Sequence, residues 1–157
     1  MILELEGGQP PIIIDSFSGK WKKLSNFYPC TIHYQDFEFG SVEHAYQAMK
    51  SRNPNIWKKF TEIPADQPGK AKRLGRTVKL RGGWELHKIA FMRQFLLEKF
   101  RKPEFRIILL STADATLIEG NYWHDNFWGD CRCKKCFLVK GQNQLGKLLM
   151  KIREQVK

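Results

Sequence analysis

Glu43, Gln47 and Lys50 stand at i, i+4 and i+7 in the segment Ser41-Val-Glu-His-Ala-Tyr-Gln-Ala-Met-Lys50. On a helix they set an acid, an amide and an amine in one row, while Val42, Ala45 and Met49 form an apolar row that seals a core. A carboxylate so placed can stabilise a developing cation or act as a general base. An amine of lowered pKa can act as a nucleophile, and both suit chemistry at a sugar carbon. The bland alternative is a solvated helix face, where these three residue types are ordinary. His44 can titrate near neutral pH, or serve as a helix-start histidine bonded to a neighbouring loop.

A second segment, Asn121-Tyr-Trp-His-Asp-Asn-Phe-Trp-Gly-Asp130, holds two tryptophans, a histidine and two acids within eight residues, Trp123 to Asp130. Trp128 can stack on a ring, and Gly129, lacking a Cβ, lets backbone approach a ligand closely. Asp125 and Asp130 bracket that approach, so that one of them can orient water or a leaving base. The alternative is a loop folded over its own aromatics with Asp as turn-former.

Just beyond, Cys131-Arg-Cys-Lys-Lys-Cys136 places three thiols in six residues. Zinc is conceivable there with Cys30 or His124 as the fourth ligand, but no second Cys-x-x-Cys pair completes a four-thiolate set. The reading carried forward is a basic, substrate-contacting loop with reduced thiols, no metal and no cofactor. Six cations in Lys70-Ala-Lys-Arg-Leu-Gly-Arg76 and Lys79-Leu-Arg81, with Arg132, Lys134, Lys135 and Lys140, are natural partners for phosphates. Asn143, in Lys140-Gly-Gln-Asn-Gln-Leu-Gly146, either holds an anion or ribose hydroxyl or caps the last helix.

The elements that must position these groups belong to an α+β chain, predominantly helical, with a small N-terminal antiparallel sheet. Residues 10–14 and the alternating stretch 31–39 read as strands, the second a hairpin turning near Gln35-Asp36. Ser41 offers an N-cap for a helix from about 42 to 52, stopped by Asn53-Pro54. Shorter helices are expected around 55–62 and 69–76. A long one runs from 84 to about 100, with Trp84, Met92, Phe95, Leu96 and Phe100 near helical spacing, and another spans 104–111. An ordered loop then continues through 130. In the final helix Leu145, Leu148, Leu149, Ile152 and Val156 make one apolar stripe.

Composition bounds the rest. With 157 residues, 42% hydrophobic and 13% aromatic, the chain is expected to form one packed domain over 1–157 with ring-lined surfaces. Twenty-seven Lys and Arg against sixteen Asp and Glu leave +11, which favours polyanions such as nucleic acid or nucleotide phosphates. The acidic start lacks a signal peptide and no apolar run reaches spanning length, so the expectation is a cytoplasmic protein with no membrane partner.

Taken in order, the motifs resemble one family. Leu24-Ser-Asn-Phe27, Ser41-x-Glu-His44 with Gln47 and Lys50, Leu74-Gly-Arg76, Leu80-Arg81 with Trp84 and Lys88, and Lys99-Phe100 are followed by Leu109-Leu110-x-Thr112, Trp128-Gly129 and Gly141-x-Asn-x-Leu-Gly146-x-Leu-Leu-Met150. Over residues 15 to 156 this set is similar to the NADAR family, the YbiA-like N-glycosidases. The resemblance implies a YbiA-like domain that hydrolyses the N-glycosidic bond between a ribose and a base. It implies either ADP-ribose removed from guanine in DNA or phosphorylated riboflavin-biosynthesis intermediates. The Cys-rich stretch after Asp130 departs from the riboflavin-type pattern, which is glycine-rich there, and with the charge of +11 it favours the DNA-linked substrate.

For that reaction an anion is needed near the sugar and a proton donor near the base. Glu43 and Asp125 are the expected carboxylates, and Lys50 the expected nucleophile if the ribose opens to a Schiff base. Trp84 and Trp128 are expected to sandwich base or sugar, Asn26 and Asn143 to bond ribose hydroxyls, and Arg76 and Arg81 to hold phosphates. Phe27, His44, Gln47, Gly129 and Asp130 complete the expected substrate contacts. The competing class is a non-enzymatic, zinc-stapled nucleic-acid-binding module.

Overall fold

Prolines open three of the helices at the position where their missing N–H costs nothing, since the first turn of a helix has no acceptor for it. The computed structural model describes residues 12–157 and places these starts at α2 (Pro54–Thr61), α3 (Pro68–Gly75) and α5 (Pro103–Ser111). The other helices are α1 (Val42–Ala48), α4 (Trp84–Arg101) and α6 (Gln144–Gln155), with a 3-10 turn at Gly19–Leu24. β2 (Ile32–Tyr34) and β3 (Phe37–Phe39) form the expected antiparallel hairpin, turning through Gln35 at φ 51.

β1 (Ile13–Ile14) stands apart from that hairpin. It pairs in parallel with β4 (Thr116–Leu117), so the expected strand at 10–14 joins a segment beyond α5 instead of an N-terminal antiparallel sheet, and Pro10 and Pro11 lie outside the described residues. β5 (Gly120–Asn121) pairs in parallel with β6 (Asp130–Cys131) inside the stretch expected to be loop. Strands of two residues are too short for a period-2 pattern to register.

α1 is the centre of the molecule. Every residue from Val42 to Ala48 is buried, with α2, α3, α4 and the hairpin packed around it. A helix wrapped on all sides cannot be amphipathic in the usual sense, so its polar row faces an internal space rather than solvent. It also ends sooner than expected, at Met49, because the next carbonyls are taken by other partners: Lys50 O accepts from Arg81 N (2.6 Å), and Ser51 O accepts from Trp57 Nε1 (2.7 Å).

The stripes on α4 and α6 enter the core as expected: Met92, Phe95, Leu96 and Phe100 meet Leu145, Leu148, Leu149 and Ile152 in one cluster. Fully buried Lys99 on α4 donates to Ser25 O (2.7 Å), anchoring the turn that carries Asn26 and Phe27. No helix among the described residues is long and apolar enough to cross a membrane.

Candidate active site

The internal space beside α1 is a cavity of about 350 Å3 lined by Asn26, Phe27, Glu43, Tyr46, Gln47, Lys50, Lys72, Arg76, Met92, Glu119, Trp123, His124, Asp125, Trp128 and Leu145. The two segments singled out in the sequence form facing walls, with α3 contributing the cations Lys72 and Arg76.

On the α1 wall, the Ser41 hydroxyl caps the helix by accepting from His44 N (3.3 Å), and Glu43 N donates to Asn26 O (3.2 Å). Glu43 is 7% exposed and Gln47 5%, and Gln47 Nε2 donates to Glu43 Oε1 at 2.8 Å. Burial raises the Glu43 carboxyl above its usual range, opposed by the Gln47 hydrogen bond and by the cations Lys72 and Lys50. Half-buried Lys50 is shifted the other way: burial lowers its amine, Glu43 resists, and Arg76, Lys72 and Lys88 reinforce the drop. Its Nζ donates to Gly75 O at 3.4 Å. Gly75 is glycine for a steric reason, since a Cβ there would lie 1.9 Å from Gln47 Oε1. The close approach of α3 to α1 thus holds the Gln47 amide against Glu43.

The opposite wall is built by its own polar side chains. Asn121 Oδ1 accepts from Trp123 N (3.2 Å) and Asp125 N (3.1 Å), and Asn121 Nδ2 donates to Asp125 O (2.7 Å). Asp125 Oδ1 accepts from Phe127 N (3.1 Å) and Trp128 N (2.9 Å). Asp125 is therefore both a turn-former and a cavity carboxylate. Trp128 Nε1 donates to Tyr46 Oη (3.2 Å), locking the two walls together. Burial pushes the Tyr46 phenol well above its ordinary range, so it stays protonated.

Eight of the expected site residues line the cavity: Asn26, Phe27, Glu43, Gln47, Lys50, Arg76, Asp125 and Trp128. The other six do not line it. His44 is 0% exposed; its Nε2 contacts Pro64 O at 3.1 Å, and because a carbonyl can only accept, Nδ1 takes the Ser41 hydroxyl proton at 2.6 Å. Burial holds this imidazole below its normal pKa, hence neutral. Trp84 is buried against Tyr46 and stacked on Phe91, so it props the α1 wall rather than meeting a ligand. Arg81 donates to Ser51 O (2.8 Å) and sits over Phe91, lining a second depression with Arg52, Lys59 and Lys79. Asn143 accepts from Glu119 N (3.0 Å) and donates to Leu117 O (2.9 Å), while Asp130 accepts from Gly141 N (2.8 Å). Gly129 is packed on Glu119 O, which a Cβ would meet at 2.1 Å.

Several lining residues were not expected as ligand contacts. Tyr46 shares the i+3 stripe with Glu43 and was open to the same helical argument. Trp123, 57% exposed, has Lys72 Nζ 5.4 Å from its ring centroid, as the expected Phe27 has at 5.8 Å, leaving Trp123 rather than Trp84 as an open ring at the mouth. Glu119 carried no signal, because only the pairing of β5 with β6 brings it to the cavity. Burial and the neighbouring Asp125 carboxylate raise its pKa to about 7. Around this space Asn26 Oδ1, Gln47 Oε1 and Glu119 Oε2 are buried with no donor among the described residues.

The thiols do not line the cavity. Cys131, Cys133 and Cys136 gather around His124, itself part of the lining Trp123–Asp125 wall, whereas Cys30 packs in the core beside Thr31. The expected substrate-contacting Cys loop is thus a backing layer, and of the two suggested fourth ligands the one in place is His124.

The family model described as NADAR domain matches residues 16–157. An N-glycosidase of Nostoc punctiforme is 41% identical over 144 residues, covering 85% of each chain. The chloroplastic riboflavin biosynthesis protein PYRR of Zea mays is 36% identical over 162 residues, covering 91% of this chain and 25% of that protein. The NMR structure of Escherichia coli YbiA superposes with a TM-score of 0.77 at 32% identity, over 98% of this chain and 89% of that one.

Proposed function

Because the chain belongs to the NADAR domain family, it is a hydrolase of N-glycosidic bonds, and we propose that the bond it breaks joins ribose to guanine in ADP-ribosylated DNA. The observation that carries this reading is the company kept in one cavity. Buried Glu43 lies with two cations suited to phosphate, Lys72 and Arg76, and with orphaned acceptors on Asn26 and Gln47 suited to ribose hydroxyls. The charge of +11 and the open rings of Phe27 and Trp123 support a nucleic-acid-linked base. Family membership leaves the non-enzymatic reading without support.

As the C–N bond lengthens, positive charge grows on the anomeric carbon and negative charge on the base. Glu43 faces the first, with its Oε1 oriented by Gln47. Glu119, with a pKa raised to about 7 and so still partly protonated at neutral pH, gives its proton to the departing base. If the sugar opens instead, the neutral Lys50 amine attacks the anomeric carbon while the base leaves with the bonding pair and takes the Glu119 proton. The ribosylamine nitrogen then loses its protons as the bond from the anomeric carbon to the ring oxygen breaks, one proton going to that oxygen, and an imine forms. Water then hydrolyses the resulting imine and frees the lysine.

Glu119→Gln should lower kcat about 100-fold and flatten the alkaline limb of the pH profile. In the wild type that limb falls as pH rises through about 7, where the proton is lost. The same group couples to stability. Its folded pKa exceeds the ordinary 4.5, so its stabilising proton is fully bound below that value and is lost as pH rises through about 7. The Gln variant should therefore lose less thermal stability between pH 5 and about 8; an unchanged alkaline limb would remove Glu119 from the proton-donor role.

The relative named for riboflavin biosynthesis favours a second reading, a phosphorylated riboflavin-pathway intermediate. Hydrolysis of an ADP-ribosyl-guanine oligonucleotide and of that intermediate, run side by side, separates the two. Release of ADP-ribose with restored guanine is the expected result; turnover of the small intermediate alone would transfer the assignment.

A further inference from the structure

We propose that His124, Cys131, Cys133 and Cys136 form a structural zinc site that staples the Trp123–Asp125 wall of the cavity. The four ligand atoms, one from each residue, all lie within 4.8 Å of one another. His124 Nδ1 is 3.2 Å from Cys133 Sγ and 3.4 Å from Cys136 Sγ. Tetrahedral zinc with Zn–S about 2.3 Å and Zn–N about 2.0 Å sets its ligand atoms about 3.5–3.8 Å apart, so the cluster needs only small adjustments to close on an ion. All three thiols are free, and none is committed to a disulfide. Soft thiolates with one imidazole select zinc over magnesium or calcium, whose preferred ligands are oxygens.

The surroundings are built for such a centre. His124 N donates to Cys131 Sγ (3.3 Å), the kind of hydrogen bond that stabilises a thiolate, and Asn126 Oδ1 fixes Cys131 N at 2.9 Å. Cys136 N donates to Cys133 O at 3.1 Å, closing the turn that brings two sulfurs to one side. Three thiolates and a neutral imidazole on Zn2+ carry a net charge of −1 among the neighbouring cations Lys134 and Lys135, while Arg132 pairs with Asp15 (2.6 Å). His124 adopts φ 69, a left-handed conformation that disfavours a side chain and that a metal bond to its ring would hold in place.

Four protein ligands leave no open position for water, so the role is structural. It bears on the reaction only through position, since the ligand His124 belongs, with Trp123 and Asp125, to the lining of the cavity.

The test uses the full chain purified reduced and without chelators. Elemental analysis should give one zinc per chain, and cobalt exchanged into the wild type should show thiolate charge-transfer bands with tetrahedral d–d absorption. Cys133→Ser and Cys136→Ser should each weaken metal binding at least about 100-fold, while Cys30→Ser should leave it unchanged. Removing zinc should speed amide exchange in residues 121–136 and leave α4 and α6 protected. Negligible zinc with no cobalt spectrum, a Cys133–Cys136 disulfide found by mass, or loss of metal in Cys30→Ser would each overturn the site. The cobalt titration of the wild type keeps the test decisive even if a Ser variant fails to fold.

Discussion

Glu43→Gln is expected to lower kcat by about 1,000-fold while leaving the affinity for ADP-ribose within a few-fold of wild type. Gln is the same size and retains an Oε1 to accept from Gln47 Nε2, so the α1 wall should keep its shape. What disappears is the anion beside the anomeric carbon. The folded protein should not suffer, because burial raises the Glu43 pKa. Its proton is held more tightly in the folded state than in the unfolded, so the wild type loses stability as pH rises past the ordinary carboxylate range, and the amide escapes that loss. Steady-state rates, calorimetric binding of ADP-ribose and thermal unfolding above pH 7 check the three parts. Activity within tenfold of wild type would remove Glu43 from the reaction.

Lys50 carries the second large effect. If the ribose opens, borohydride should trap the substrate on Lys50 in the wild type and on nothing in Lys50→Ala, with turnover falling by about 1,000-fold. Lys50→Arg separates charge from nucleophilicity: it restores the cation beside Glu43 but cannot form an imine, so trapping should stay absent. Because burial lowers the Lys50 amine, the reactive neutral form accumulates at lower pH than for an exposed lysine. Trapping that survives unchanged in Lys50→Ala would place the covalent step elsewhere or abolish it.

The helices were legible because their apolar spacing is dictated by burial, and the stripes of α4 and α6 meet in the core as their sequences require. The row of Glu43, Gln47 and Lys50 was legible as a row, but its surroundings were not. Nothing local reveals that α1 is enclosed on every side, and that enclosure turns an ordinary polar face into a cavity wall. His44, Arg81, Asn143 and Asp130 show the converse limit. A cavity built from polar backbone needs side chains to satisfy its supports, so such residues concentrate near the site whether they face a ligand or the scaffold. Trp84 and Trp128 both pack against Tyr46, but only Trp128 lines the cavity. Glu119 reaches the cavity through the two-residue pairing of β5 with β6, which leaves no periodic trace in the sequence, whereas His124 stood close enough in sequence to the three thiols to be named beside them.

A structure of Glu43→Gln with ADP-ribose bound tests the central claim most directly. The account predicts the ribose beside Asn26 and Gln47, its anomeric carbon about 3.5 Å from the residue 43 side chain, and its phosphates on Lys72 and Arg76. ADP-ribose seated instead in the depression of Arg52, Lys79 and Arg81, with the α1 cavity unaltered, would contradict it.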